Sequence, residues 1–425
     1  MPTARVILPR GWAMAGQAVS FTSLYLSAGA LMPLLVYYQG HWSLSASDLT
    51  TAFAVYAVGF LGAALTVGSL SDRVGRRPVL LGALIIHLAS GAMFLVAPNV
   101  DWLIAARVVQ GAATGTATAA FTASLVELAP AQRKRVGATL GSIGLAGGLA
   151  MGSLLGGLAI EISPDANTII FGTLTVLTAV GIFVVGASPE TVDRNEGALR
   201  ALIPRVEVPR TARTEFVAAA PVVASVWMLA GLSGGMAPSL VHSVFHSDSG
   251  VIAGLSGFAG PATSAMSALA FAAVDTRRAM IVGCCASLLG AAGMIGGVES
   301  HSLVLMIIGQ AVAGAGFGAG FTAALGLVLP LAAPPQRAGT AAAIYIVAYL
   351  AFGVPIVIAG RVASSLGEAA ALVWFSAATV LLAVAGLRAQ LHAVRRARND
   401  AHRTGDRAAV VPSGPAPVRA HDRGR

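Results

Sequence analysis

Apolar residues run along this chain in long blocks, and each block closes in a short polar turn before the next begins. Scanned with a window of ~19 residues, the pattern predicts twelve apolar spans: 12–38, 49–70, 78–97, 102–126, 136–162, 166–187, 217–245, 251–274, 279–298, 303–331, 339–366 and 369–391. Each is long enough to cross a hydrocarbon core as a helix, which takes ~20 residues. One long polar stretch, 188–216, interrupts the series. It divides the chain into a first six-helix half (1–187), a central loop (188–216), a second six-helix half (217–391) and a basic tail (392–425). The tail is rich in Arg, Ala and Pro and is expected to be disordered. The fold class expected is therefore an all-α polytopic membrane protein with twelve transmembrane helices in two six-helix pseudo-repeats.

Composition agrees with this. The 425 residues are 56% hydrophobic and only 11% charged, against ~25% charged in soluble domains. A net charge of +9 would suggest a nucleic-acid partner in a soluble protein, but the distribution argues otherwise. Of 27 basic residues, 25 fall at the N-terminus, in alternate loops, in the tail or, for Arg388, in the last turn of the twelfth span beside the tail, all on one side. The two exceptions, Arg107 and Arg361, lie inside spans. The opposite loops carry only acids near their ends: Asp48, Asp101, Glu161, Asp165, Asp248, Glu299 and Glu368. Under the positive-inside rule this places both termini in the cytoplasm of a cell's inner or plasma membrane. The excess charge then records topology, and no nucleic-acid partner is expected. The first apolar run is too long for the core of a signal peptide and reads as the first helix. Cys284 and Cys285 are neighbours, a spacing that rarely bridges.

The halves also resemble one another. A shift of 200 residues aligns Gln110, Ala113, Ala119, Phe121, Thr122, Ala123 and Leu125 with Gln310, Ala313, Ala319, Phe321, Thr322, Ala323 and Leu325. Between the second and third spans the chain reads Gly68-Ser-Leu-Ser-Asp72-Arg73-Val-Gly75-Arg76-Arg77. This resembles the cytoplasmic signature of the major facilitator superfamily, in the loop where that family carries it. The fourth span holds Arg107-x-x-Gln110-Gly111, which is similar to a second pattern of the superfamily. The resemblance implies a secondary transporter whose substrate site lies at mid-membrane between the halves. It further implies a latch in which Asp72 caps the Gly339–Thr340 end of the eleventh helix and Arg76 pairs with Glu127, alongside Arg73 and Arg77.

Arg107, Gln110, Thr114 and Thr118 share one face of the fourth helix, and a charge inside a membrane span is a functional candidate. Asp101, six residues earlier, and His87, in the middle of the third span, are the other candidates for moving a proton. The fifth span carries glycines at 144, 148, 152, 156 and 157. Gly144, Gly148, Gly152, Gly156 and Gly157 form a face for close helix packing. They resemble the antiporter signature of the superfamily's drug:proton exporters, except that Ser153 stands where that signature has Pro. Candidates for the substrate cavity are Tyr25, Met32, Tyr56, Trp227, Gln310, Tyr345 and Tyr349, a set suited to small amphiphilic molecules. His242 and His246 are spaced i, i+4, but too few further ligands are near for a metal, and neither metal nor cofactor is expected. No paired carboxylates, Ser-His-Asp set or phosphate-binding Gly-x4-Gly-Lys-Ser/Thr pattern appears, which argues against an enzyme or an ATP-driven pump. The expected function is proton-coupled export by a monomer. The alternatives are a proton-coupled importer of a small metabolite and a transport-dead sensor of the same fold.

Overall fold

A computed structural model of the chain describes residues 7–192 and 204–409. The described residues form twelve long helices: α1 (Arg10–Trp42), α2 (Ala46–Val67), α3 (Arg76–Leu95), α4 (Val100–Leu128), α5 (Lys134–Ile162), α6 (Ala166–Ala187), α7 (Arg210–Gly235), α8 (Gly250–Ala270), α9 (Thr276–Glu299), α10 (Leu303–Val328), α11 (Arg337–Leu366) and α12 (Glu368–Ala409). Ten of them are long and apolar enough to cross a membrane by length and composition. The other two, α4 and α8, have the length, but their Thr, Ser, Gly and Ala content lowers their mean hydropathy. That content belongs to their position, because both are packed among other helices: Ala113, Thr114, Ser256 and Gly257 are buried.

Local chemistry sets the helix ends. Ser45 and Asp48 cap α2 reciprocally, Ser45 N to Asp48 Oδ2 at 3.0 Å and Asp48 N to Ser45 Oγ at 3.2 Å. Asn99 accepts the Trp102 N–H at the start of α4. The expected seventh span, 217–245, is not one helix. It breaks at Met236 and resumes as Ala237–Ser243, where Pro238 opens the new segment. The tail expected to be disordered from 392 continues α12 as far as Ala409, since Ala and Arg are strong helix formers. Residues 410–425 lie outside the described residues.

Helix neighbours repeat between the halves. In the first, α1 packs on α5 and α6, α2 on α4, and α3 on α4 and α6; in the second, α7 packs on α11 and α12, α8 on α10, and α9 on α10 and α12. Each pair maps onto its counterpart under a shift of six helices. The halves meet along two seams, α2 against α11 and α5 against α8.

Candidate functional site

The signature loop folds as a tight turn. Gly75 sits at φ +100°, a conformation that side chains rarely adopt. A Cβ there would also strike the carboxylate of Glu190. Glu190 accepts the Arg76 N–H at 2.8 Å and the Arg77 N–H at 3.1 Å, capping α3 from 113 to 114 residues away in sequence. The Arg76 guanidinium lies 2.9 Å from Glu127, pairs with Asp72 and donates to Ser71 Oγ at 2.7 Å. Thr191 also bonds Glu127. Glu127 lies in the last turn of α4, just past the apolar span 102–126. Partial burial there raises its pKa, but hydrogen bonds from Arg76 and Thr191, with the charges of Arg76 and Lys134, outweigh this and hold it below the usual carboxylate value. Gly68 closes α2 in an ordinary helical conformation.

Asp72 does not reach α11. Its side chain is 62% exposed and paired with Arg76. The Gly339–Thr340 end is occupied instead by the end of the central loop: Thr340 Oγ1 donates to Glu207 O at 3.1 Å, Glu207 N to Gly339 O at 3.3 Å, and Gln336 Nε2 to Glu207 Oε1 at 2.8 Å. The reason is the relative posture of the halves, described below.

Seven residues past the start of α4, nearer the end away from the basic loops, Arg107 is 2% exposed. Its Nε and Nη2 donate to Ala52 O and Phe53 O of α2, both at 3.2 Å, and Nη1 donates to Gln110 Oε1. The guanidinium carbon lies 4.6 Å from the centre of the Tyr56 ring. Gln110 Nε2 donates to Ser27 Oγ of α1 at 2.7 Å, and Thr114 shares a 2.8 Å hydrogen bond with Tyr56. One polar stripe on α4 thus ties α1, α2 and α4 together. Asp101 is exposed at the start of α4 and takes no part in it, so the expected convergence of Asp101 on Arg107 does not occur: the guanidinium turns toward the α2 carbonyls. His87 is buried between α3 and α6 with Nδ1 3.1 Å from Thr178 Oγ1, apart from the stripe.

Of the cavity candidates, Tyr25, Tyr56, Trp227, Tyr345 and Tyr349 come together. Tyr25 bonds Thr118 at 2.8 Å. Tyr349 stacks on Phe60 across the halves at 4.4 Å and lies 4.8 Å from Trp227. Phe317, Phe321 and Phe352 complete the aromatic group around Trp227, at 5.1, 5.2 and 5.9 Å. These three phenylalanines escaped the sequence reading, because an isolated Phe on a membrane helix gives no sign of which way it points. Met32 lies against Gly234 and Gly257, between the halves. Gln310 lies elsewhere: fully buried, it exchanges hydrogen bonds with Ser256 at 3.1 and 3.3 Å inside the α8–α10 contact.

The seams explain the posture. Along α2–α11 the contacts run from Ser47 N on Ser364 Oγ (3.2 Å), at the end away from the basic loops, through Phe53 on Phe352 (5.1 Å), to Phe60 on Tyr349. Along α5–α8, Ser153 Oγ donates to Gly254 O at 3.0 Å, and Glu161 Oε2 accepts from Ser249 Oγ at 3.0 Å and Val251 N at 3.3 Å. Among the described residues, Phe60–Tyr349 is the ring contact between the halves nearest the basic loops. The hydrogen bonds and ring contacts described between the halves thus gather toward the end away from the basic loops, with the aromatic group at the inner limit of the ring contacts. At that end lies a cleft of about 420 Å³ lined by Tyr37, His41, His242 and Asp248 among others. His242 Nδ1 is 2.8 Å from Asp248, and His246 does not join them. Of the glycines, Gly144, Gly148, Gly152 and Gly156 abut α1, whereas Gly157 abuts Gly250 and Gly254 of α8.

Against known proteins, the family model described as Major Facilitator Superfamily matches residues 18–355. A quinolone resistance protein, NorA, of Staphylococcus aureus is 25% identical over 167 residues, covering 39% of this chain and 43% of that protein. An uncharacterized transporter of Rickettsia bellii is 33% identical over 143 residues, covering 32% of this chain and 33% of that protein. The chain thus spans less than half the length of either relative. Among solved structures, the nucleoside transporter NupG superposes with a TM-score of 0.68 at 13% identity, covering 89% of this chain and 99% of that one. A bacterial homologue of the lysosomal transporter Spinster superposes with a TM-score of 0.69 at 16% identity, covering 90% and 97%. These two likenesses concern the fold.

Proposed function

The chain belongs to the major facilitator superfamily, and from that premise we propose that it is a proton-coupled exporter of small amphiphilic molecules working by alternating access. It stands in the cell membrane as a monomer with both termini cytoplasmic, and the posture described is open to the cytoplasm. The observation that carries this reading is the pair of seams: their described contacts run from the outer end to Phe60–Tyr349, where an aromatic group free of acidic side chains stands between the halves. Substrate enters from the cytoplasm. Rocking of the halves about that group would close the basic-loop end and open the other. In the opposite posture Asp72 would cap the Gly339–Thr340 end of α11 as the latch, on a loop already held by the Arg76–Glu127 pair.

The export direction draws on the likeness to a drug-resistance protein and on the α5 glycine face. For coupling, the Arg107–Gln110–Tyr56 stripe is the element proposed to respond to the proton, because it joins α1, α2 and α4. His87 and Asp101 stand outside that stripe. Import of a small metabolite is the second reading, favoured by Ser153 in place of the signature proline. Flux into and out of proteoliposomes under imposed pH gradients of each sign separates the two. Accumulation only when protons move opposite to the solute supports antiport; accumulation with the proton flow supports import; no gradient dependence removes the coupling.

A further inference from the structure

The cleft at the end away from the basic loops is built by both halves. Tyr37 and His41 come from α1, and His242 and Asp248 from the stretch between the break in α7 and the start of α8. Its volume of about 420 Å³ lies in the range of small-molecule sites. The side chains of His242 and Asp248 are 55% and 88% exposed, so solvent reaches it directly. Pro33, Ile160 and Pro238 give it apolar lining, and the Tyr37 and His41 rings lie 4.0 Å apart.

The polar atoms left open there are acceptors. His41 Nδ1 is 2.8 Å from Tyr37 O, and a carbonyl only accepts, so Nδ1 carries the hydrogen. His242 Nδ1, 2.8 Å from Asp248 Oδ1, donates for the same reason. In the neutral rings each Nε2 therefore keeps a lone pair. The donors nearby are already engaged: Tyr37 Oη on Pro164 O at 2.7 Å, and Ser249 Oγ and Val251 N on Glu161. No lysine or arginine lines the cleft, and Asp248 is its carboxylate.

We propose that this cleft is a second ligand site, separate from the central aromatic group, for a primary aryl-alkyl ammonium. The ammonium donates to the imidazole Nε2 atoms and Asp248, and the aryl ring lies on the Tyr37–His41 pair and the prolines. Because both halves line the site, it is complete only while they meet at this end. Occupancy therefore favours that posture over the opposite one. The consequence for turnover, an effector that slows the cycle, rests on the alternating-access reading; the binding does not.

Three probes share one ring: 2-phenylethylammonium, 2-phenylethanol and 3-phenylpropionate. Equilibrium dialysis against the full chain in lipid nanodiscs, at pH 8 where an unperturbed imidazole is neutral, should rank them in that order. The ammonium should bind about fivefold more tightly than the alcohol. Asp248→Asn should remove that advantage and leave the alcohol unchanged. His242→Phe keeps a ring without its acceptor and should weaken the ammonium about fivefold. Saturating ammonium should also shift spin-label distances across this end toward the shorter population. The proposal is overturned if the alcohol or the carboxylate binds as tightly as the ammonium, or if Asp248→Asn changes nothing. It is equally overturned if Trp227→Phe, and not Asp248→Asn, abolishes binding, which would seat the ammonium in the central group. Unmoved distances would overturn the claim that occupancy holds the halves together. Binding with the Asp248 dependence, in a chain that moves no solute under any gradient, would sink the transport reading and leave this site standing.

Discussion

Arg107 shows how a single buried charge can serve as a structural joint. Its three hydrogen bonds satisfy two carbonyls of α2 and the amide of Gln110, so truncation leaves acceptors unmet as well as removing the charge. Arg107→Ala should cost about 2 kcal/mol of stability, read as a lowered unfolding temperature in nanodiscs. It should abolish gradient-driven flux more completely than substrate exchange, whereas Arg107→Lys should keep part of both. Equal loss of the two activities would remove Arg107 from coupling. Glu127 carries a pH dependence of defined sign. Its folded pKa lies below the unfolded value of ~4.3. Its contribution to stability is therefore present above that value and disappears as the pH falls through the lower folded value. Thermal unfolding measured from neutral pH down to ~3 should fall less steeply in Glu127→Gln than in the unaltered chain; identical slopes would show that the Arg76 pair adds nothing. Both residues stood out in the sequence, Arg107 as a charge in an apolar span and Glu127 through the resemblance. Glu190 and Thr191 did not, because no local pattern announces a cap formed across more than a hundred residues.

Along α5, glycines five residues apart have different work. A Cβ at Gly152 would meet the Leu26 carbonyl of α1, within the first half, and one at Gly157 would meet the Gly250 carbonyl of α8, across the halves. Overpacking of this kind costs ~1–3 kcal/mol. Gly152→Ala should therefore lower the unfolding temperature in every posture, whereas Gly157→Ala should leave folding nearly intact and favour the posture open at the outer end. Spin-label distances across the outer and basic-loop ends distinguish the two, and equal shifts from both variants would defeat the assignment. Ser153 and Glu161 act on the same seam. Ser153→Ala or Glu161→Ala removes a cross-half hydrogen bond and should move the same distances in the direction of Gly157→Ala. The glycine spacing was legible in the sequence because helical periodicity fixes which residues share a face. Which neighbour each face meets was not, since α1 and α8 accept glycine contacts equally well. The kink at Met236 was similarly hidden inside one continuous apolar run.

At the scale of the whole molecule, the all-helical fold with two six-helix halves was written in the apolar blocks and in the one-sided arginines, which obey solvent physics that needs no partner. The posture was not, because a chain that alternates between two arrangements encodes the contacts of both. Asp72 is the clearest case. Its expected place at the start of α11 is taken by the Glu207 segment in this posture, so the two caps are competitors for one helix end. Closing the basic-loop end should bring Asp72 to Thr340 and displace Glu207. An acid at a helix N-terminus is worth ~0.3–1 kcal/mol, so Asp72→Asn should reduce the closed population by up to about fivefold and slow flux by a similar factor at equal protein level. A cysteine pair, Ser69→Cys with Ala338→Cys, in a chain with Cys284 and Cys285 changed to Ser, reports that closure as an oxidative cross-link. Its yield should rise with Glu161→Ala, which loosens the outer seal, and fall with Asp72→Asn. A yield indifferent to Asp72→Asn would mean that the aspartate serves only its pair with Arg76, and that alternating closure is held by other contacts.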